Sequence, residues 1–203
     1  MRTVILTALI GLIASLVFSF PAKSEGEPVG VPLIRKQMKE WSRSGSGKNP
    51  WQLTTADTLV CEAAKESYSF EELFGDGTFH VEWRFTPTAS NAKKAVAASV
   101  TVRGNGEQNC KIALGTDCGK MTTSIVASND HLKAFETIPA GVKPKAIGDW
   151  NSMTIKLEGR SAAVIINGVT VASVVNAPAT GTFSVNAEGD PVEFRNIRWQ
   201  AAR

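Results

Sequence analysis

The stretch "TFHVEWRF", residues 78–85, alternates without a break. Phe79, Val81, Trp83 and Phe85 fall on one side of an extended chain and His80, Glu82 and Arg84 on the other, because successive strand side chains point to opposite faces. One apolar and one polar face is the pattern of an antiparallel sheet that covers a core on one side only. The polar row admits two readings. It is either the solvated side of that sheet or a surface that presents an imidazole, a carboxylate and a guanidinium together.

The same texture recurs on both sides of this segment. Strands are predicted at residues 51–53, 58–62, 78–86, 95–103, 110–114, 121–128, 151–157, 162–166, 169–174, 181–186 and 192–199, most of them bounded by turn residues. In "VIINGVTV", residues 164–171, two β-branched runs flank Asn167-Gly168, the pair that a type I′ hairpin turn favours because both central positions need positive φ. "RKQMKEW", residues 35–41, is expected to form a helical turn or two before "SRSGSGKNP" ends it. So many short strands, with so little room for helix, imply an all-β chain folded as a two-sheet antiparallel β-sandwich.

Residues 1–24 read as a signal peptide, with a basic Arg2, an apolar run from Val4 to Phe20, and Ala22-Lys23-Ser24 as a small-x-small cleavage site. The apolar run stands at the lower edge of what spans a bilayer, so an uncleaved anchor is the alternative. Cleavage would give a secreted or periplasmic protein with no stable membrane insertion. It removes Arg2 and Lys23 and lowers the formal net charge from +3 to +1, which leaves no electrostatic footprint for nucleic acid. Residues 25–37 then form an N-terminal arm, and residues 38–203 a single domain.

An exported chain meets an environment that permits disulfides. Cys110 and Cys118 flank "KIALGTD", whose Gly-Thr-Asp centre is turn-forming, so the two thiols are expected to bond across a hairpin-like loop and to contribute about 2–3 kcal/mol. Cys61, within the strand "TLVCEA", is expected to be free and buried. With no Cys-x-x-Cys pair, and His80 and His131 as the only histidines, no metal site is predicted.

Beyond these general features, "GDWNSMTIKLEGRSAAVIINGVTVASV" and "GTFSVNAEGDPVEFRNIRWQ" resemble the C-terminal half of the 3-keto-disaccharide hydrolase domain family. The resemblance rests on Gly148 to Asn151, on Asn167-Gly168 and above all on the closing Pro191 to Ile197. "WQLTTADTLVCEA" and "FGDGTFHVEWRF" are similar to earlier segments of the family, and Trp41 matches an early tryptophan, so the likeness covers roughly residues 38–203. It implies a concanavalin A-like jelly-roll sandwich. One departure is clear: where the family shows an Asn-Ser-Gly turn, this chain has Ala98-Ser99, although Arg103 and Glu107 are retained. The resemblance thus implies a reshaped pocket.

It also implies an activity, the hydrolysis of 3-keto-glycosides. Oxidation at C3 acidifies the proton on C2, so a base removes it, the enolate expels the C1 substituent and water re-adds. Such a site needs a base and donors for the developing oxyanion. Glu82, His80 and Arg84 supply those types on one strand face and are the candidate catalytic residues. Arg103, Glu107, His131 and Trp150 are the candidate substrate-binding residues, each with a plainer reading as a hairpin-end charge, a surface histidine or a packed aromatic. Trp51 and Trp199 share with Trp150 a strand-end position suited to stacking on a sugar, whereas Trp83, Phe85, Phe183 and Phe194 read as core and Arg195 as structural. The expected partner is a carbohydrate, a 3-keto-glycoside or related glycan; the cofactor is unknown from the sequence. A non-catalytic carbohydrate-binding domain and an envelope interaction module are the alternatives.

Overall fold

The computed structural model describes residues 29–35, 38–88, 95–106, 108–117, 120–127, 145–175 and 177–203, and every regular element among them is a strand. In chain order these are β1 (Val31–Pro32), β2 (Trp41–Arg43), β3 (Trp51–Leu53), β4 (Leu59–Cys61), β5 (Lys65–Phe74), β6 (Gly77–Phe85) and β7 (Val96–Gly104). There follow β8 (Cys110–Asp117), β9 (Lys120–Ala127), β10 (Asn151–Glu158), β11 (Ser161–Ile166), β12 (Val169–Val174), β13 (Gly181–Glu188) and β14 (Val192–Ala201). Eight strands make one sheet in the order β12-β11-β10-β6-β14-β4-β3, with β1 added beside β14; six make the other, β2-β5-β13-β7-β8-β9. The pairings within both sheets are antiparallel.

The inward rows of the two sheets form one core. From β6 come Phe79, Val81, Trp83 and Phe85, and from β13 Phe183, Val185 and Ala187, all buried. Phe79 stacks on Phe183 across the sheets with ring centroids 4.6 Å apart, and Phe74 meets Phe79 edge-on at 4.9 Å. Such aromatic pairs contribute about 0.5–1.5 kcal/mol each beyond the area they bury. The hairpin between β11 and β12 turns on Asn167 and Gly168, with φ of 49° and 82°, as the sequence predicts.

Three strands do not follow from the sequence pattern, among them β1, which lies in the expected N-terminal arm and pairs with β14. In β5 the apolar Tyr68 and Phe70 are followed by Glu71-Glu72, which breaks the alternation, and a register shift between Gly181 and Phe183 of β13 accommodates the irregularity. β2 begins at the last residue of the expected helical segment, two of whose residues, Lys36 and Gln37, lie outside the described residues. Trp41 N–H donates to Met38 O at 3.1 Å, so residues 38–41 form one tight turn that leads directly into the strand.

The predicted disulfide is also corrected. Gly115-Thr116-Asp117 continue β8 instead of turning, and at ~3.3 Å per residue a strand from Cys110 to Asp117 spans roughly 23 Å. A disulfide requires Cα atoms within about 7 Å. Cys110 is accordingly a free, buried thiol, as is Cys61; Cys118 lies outside the described residues. Burial pushes the Cys110 thiol up to about 11, only partly offset by the charge of Arg103.

Candidate functional site

The polar row of β6 lies on the outer face of the eight-stranded sheet and is matched, charge for charge, by β14. Arg195 Nε donates to Glu82 Oε2 at 2.6 Å, and Arg84 donates to Glu193 Oε2 at 2.8 Å. Glu193 also accepts from Thr86 Oγ1 at 3.1 Å. The register makes this inevitable, since Glu82 faces Arg195 and Arg84 faces Glu193 directly across the ladder, where opposite charges stabilise each other. Trp150 sits among them, 4.0 Å from the guanidinium of Arg195 and 4.6 Å from that of Arg84. His80 Nδ1 is 3.4 Å from Thr154 Oγ1. The structure therefore brings Glu82, Arg84 and Trp150 together with Glu193 and Arg195, as an ion ladder that packs a tryptophan with two cations.

Other expected sugar-facing residues are placed elsewhere. Arg103 is fully buried at one end of the sandwich. It has a left-handed φ of 54°, and its guanidinium donates to Gly159 O at 2.6 Å, Pro178 O at 2.9 Å, Gly75 O at 3.0 Å and Asp76 Oδ1 at 2.8 Å. That arrangement ties three turns together and leaves Arg103 inaccessible to a ligand. Gly181 permits it, because a Cβ there would lie 2.3 Å from the Arg103 carbonyl carbon. Trp51 stacks on Tyr68 inside the core at 5.9 Å, and Trp199 packs on Phe79 at 4.4 Å. Glu107 and His131 lie outside the described residues.

A second constellation occupies the outer face of the six-stranded sheet. Because Phe183, Val185 and Ala187 of β13 point inward, Ser184, Asn186 and Glu188 point outward. They meet Ser99 and Thr101 of β7 and Lys111 of β8, which alternate with inward valines and isoleucine in the same way. Asn186 Nδ2 donates to Thr101 Oγ1 at 3.1 Å and to Ser99 O at 3.3 Å. Glu188 Oε1 accepts from Lys111 Nζ at 2.7 Å and from Ser99 Oγ at 3.0 Å. Ser99 is wholly buried beneath this pair, while Glu188 and Lys111 are partly exposed. A cavity of about 350 Å³ opens above them, lined by Lys65, Ser67, Thr101, Lys111, Asn186 and Glu188 among others. A second hollow, at the β3–β4 turn, is lined by Leu53, Thr54, Thr55 and Asp57 and offers a single carboxylate.

Sequence reasoning missed this face although its signal was present. "TFSVNAE", residues 182–188, alternates as cleanly as the β6 row, and an asparagine in mid-strand is unfavourable unless something uses it. Ser99 falls in the segment where the chain departs from the Asn-Ser-Gly pattern, so the departure coincides with a residue that holds the carboxylate. Among the described residues no group of three or more His, Cys, Asp or Glu side chains is placed to hold a metal ion. No described helix is long and apolar enough to cross a membrane.

Two antiparallel sheets that share one core define a jelly-roll β-sandwich. Residues 35–200 match the 3-keto-alpha-glucoside-1,2-lyase-like domain, and the chain belongs to that family. Among solved structures it is similar to the β-glucanase of Bacillus licheniformis, at 13% identity and a TM-score of 0.59 over 88% of this chain and 100% of that one. It is likewise similar to the carbohydrate-binding module CBM66 of Bacillus subtilis, at 12% identity and a TM-score of 0.59 over 80% of this chain and 96% of that one. A candidate glycosyl hydrolase of Parabacteroides distasonis shares 16% identity with a TM-score of 0.58, over 86% of this chain and 100% of that one. At these identities the likeness concerns the fold. No curated protein matches the sequence.

Proposed function

We propose that the protein is a secreted or periplasmic enzyme that cleaves 3-keto-glycosides, and that the outer face of the six-stranded sheet, not the β6 row, carries the chemistry. Family membership supports the reaction class. The observation that carries the assignment of the site is the unequal use of the two carboxylate oxygens of Glu188. Oε1 takes both Lys111 and Ser99, whereas Oε2 has no donor among the described residues and Glu188 lines the cavity.

In this reading Glu188 Oε2 removes the proton from C2 of the bound 3-keto sugar. The electron pair of the C–H bond forms the C2=C3 double bond, and the C3 oxygen becomes an enolate. Lys111 has three donors, so it meets that oxygen without leaving Glu188; loss of such a donor costs roughly 3 kcal/mol of transition-state stabilisation. Collapse of the enolate then expels the C1 substituent, which takes a proton as it leaves. Water adds at C1 and C2 regains a proton, so the sum is one water consumed and one glycosidic bond broken. Ser99 acts as a positioning residue that fixes the carboxylate. The β6 row is assigned a structural part, as cross-strand ion pairs on the opposite face.

Incubation of the protein with methyl 3-keto-glucoside in D₂O, followed by NMR, tests this. Release of methanol with deuterium at C2 is expected. A protein that binds the sugar but does neither is a carbohydrate-binding domain instead. Export is supported by the signal-peptide pattern at residues 1–24 and predicts a mature N-terminus at Glu25, which terminal sequencing of the secreted or periplasmic protein reads directly.

A further inference from the structure

The cavity is lined by two cations, Lys65 and Lys111, and two carboxylates, Glu66 and Glu188, but Arg43, beside the lining, takes up Glu66 and so leaves one cation over. Lys111 is committed to Glu188 at 2.7 Å, and Glu66 to Arg43 at 3.4 Å. Lys65, which also lines the cavity, has no ion-pair partner among the described residues, although its Cα is in register with that of Glu188 on the neighbouring strand. The reason is local: Glu188 Oε1 already accepts from Lys111 and Ser99. Lys65 is exposed and stands at the rim of the cavity. Its aliphatic stem lies against Gly189, with Cε 3.5 Å and Cγ 3.7 Å from where a Cβ on that glycine would stand. These are ordinary van der Waals distances, and the glycine is required by its own φ of +104°, which side chains rarely adopt.

An ammonium without an ion-pair partner among the described residues, at the rim of a polar cavity and beside a carboxylate already paired with Lys111, is a receptor for an anion. Resting on the assignment of the site above, we infer that the preferred ligand is an acidic glycoside, whose oxyanion substituent, a carboxylate or a sulfate ester, is bound by Lys65. The neutral side chains that complete the lining, Ser67, Thr101 and Asn186, suit the hydroxyls of the same ligand. Lys65 would thus be a specificity residue, separate from the proton-transfer pair.

The test is a comparison of equilibrium binding, by calorimetry, of 4-nitrophenyl β-glucuronide, 4-nitrophenyl β-glucoside and its 6-sulfate to the wild type and to Lys65→Met. Thermal unfolding checks that the variant folds. The wild type is expected to bind at least one acidic glycoside about fivefold or more tightly than the neutral one, a difference that screening by 0.5 M salt diminishes, as expected for exposed charges. In Lys65→Met the preference should fall to about one. The arm that shows the preference identifies the anion as carboxylate or sulfate. Equal binding of all three sugars by the wild type overturns the inference and leaves the site standing, whereas a preference that persists in Lys65→Met moves the anion to another cation. If no glycoside binds and Glu188→Gln changes nothing, the site itself is wrong and the inference falls with it.

Discussion

Lys111 Nζ and Glu188 Oε1 meet at 2.7 Å across an intervening strand, since β7 lies between β8 and β13. The two side chains form a bridge over Ser99, whose hydroxyl reaches up to the same oxygen at 3.0 Å. One carboxylate oxygen is held from two directions and the other is left to the cavity. That asymmetry distinguishes this ion pair from those on the opposite face, where Arg195 and Glu82 are direct cross-strand neighbours.

Ser99→Ala should therefore act through Glu188. Removing the buried hydroxyl frees the carboxylate to rotate, so kcat is expected to fall about tenfold, less than the hundredfold or more that loss of the general base itself would cost, while KM changes little. The lost hydrogen bond should cost about 1 kcal/mol of stability. Steady-state kinetics with a 3-keto-glucoside, alongside urea unfolding, separates the two effects. An unchanged kcat would mean that Ser99 does not position the base.

Arg103→Met should behave in the opposite way. Three carbonyls and the half-exposed Asp76 lose their donor, so unfolding should become easier by about 3 kcal/mol, as for the loss of several hydrogen bonds from one buried charged group. Arg103→Lys should rescue little, because one ammonium cannot reproduce a planar fork that serves partners in several directions. Chemical denaturation reads this. A stable variant with weakened sugar binding would return Arg103 to the ligand site.

Much of the sandwich was legible because its strands are amphipathic at period two, and the Asn167-Gly168 hairpin because its turn chemistry is local. β5 was hidden by Glu71-Glu72, and the path of β8 by Gly115-Thr116-Asp117, which reads as a turn but is held as strand by β9 throughout and by β7 at Gly115 and Thr116. The candidate site was harder. Periodicity reports which side chains share a face but not which partner stands opposite, and it is the register of β14 that converts Glu82 and Arg84 into paired charges. The cluster of Ser99, Lys111 and Glu188 spans three strands from distant parts of the chain, so no single window of sequence contains it.

The buried thiol of Cys110 makes stability depend on pH. Its pKa is raised from 9.0 to about 11 in the folded protein, so between these values the unfolded chain loses a proton that the native state keeps. The native state binds more protons there, and stability falls as pH rises through that window, by up to about 2–3 kcal/mol for this group. Urea unfolding at pH 8 and pH 10.5 should show the loss, and Cys110→Ala should reduce it. An equal slope in the variant would assign the effect to other groups.

The central claim is that Glu188, and not Glu82, is the base. Release of nitrophenol from a 4-nitrophenyl 3-keto-glucoside by the wild type, Glu188→Gln and Glu82→Gln tests it most directly, with thermal unfolding as the check on folding. Turnover in Glu188→Gln is expected to fall by about a hundredfold or more, the scale of a lost general base. Glu82→Gln should keep near wild-type turnover and lose under about 1 kcal/mol of stability, as for a surface ion pair. The reverse result, with Glu82→Gln inactive and Glu188→Gln active, would contradict the account and place the chemistry on the face of the eight-stranded sheet.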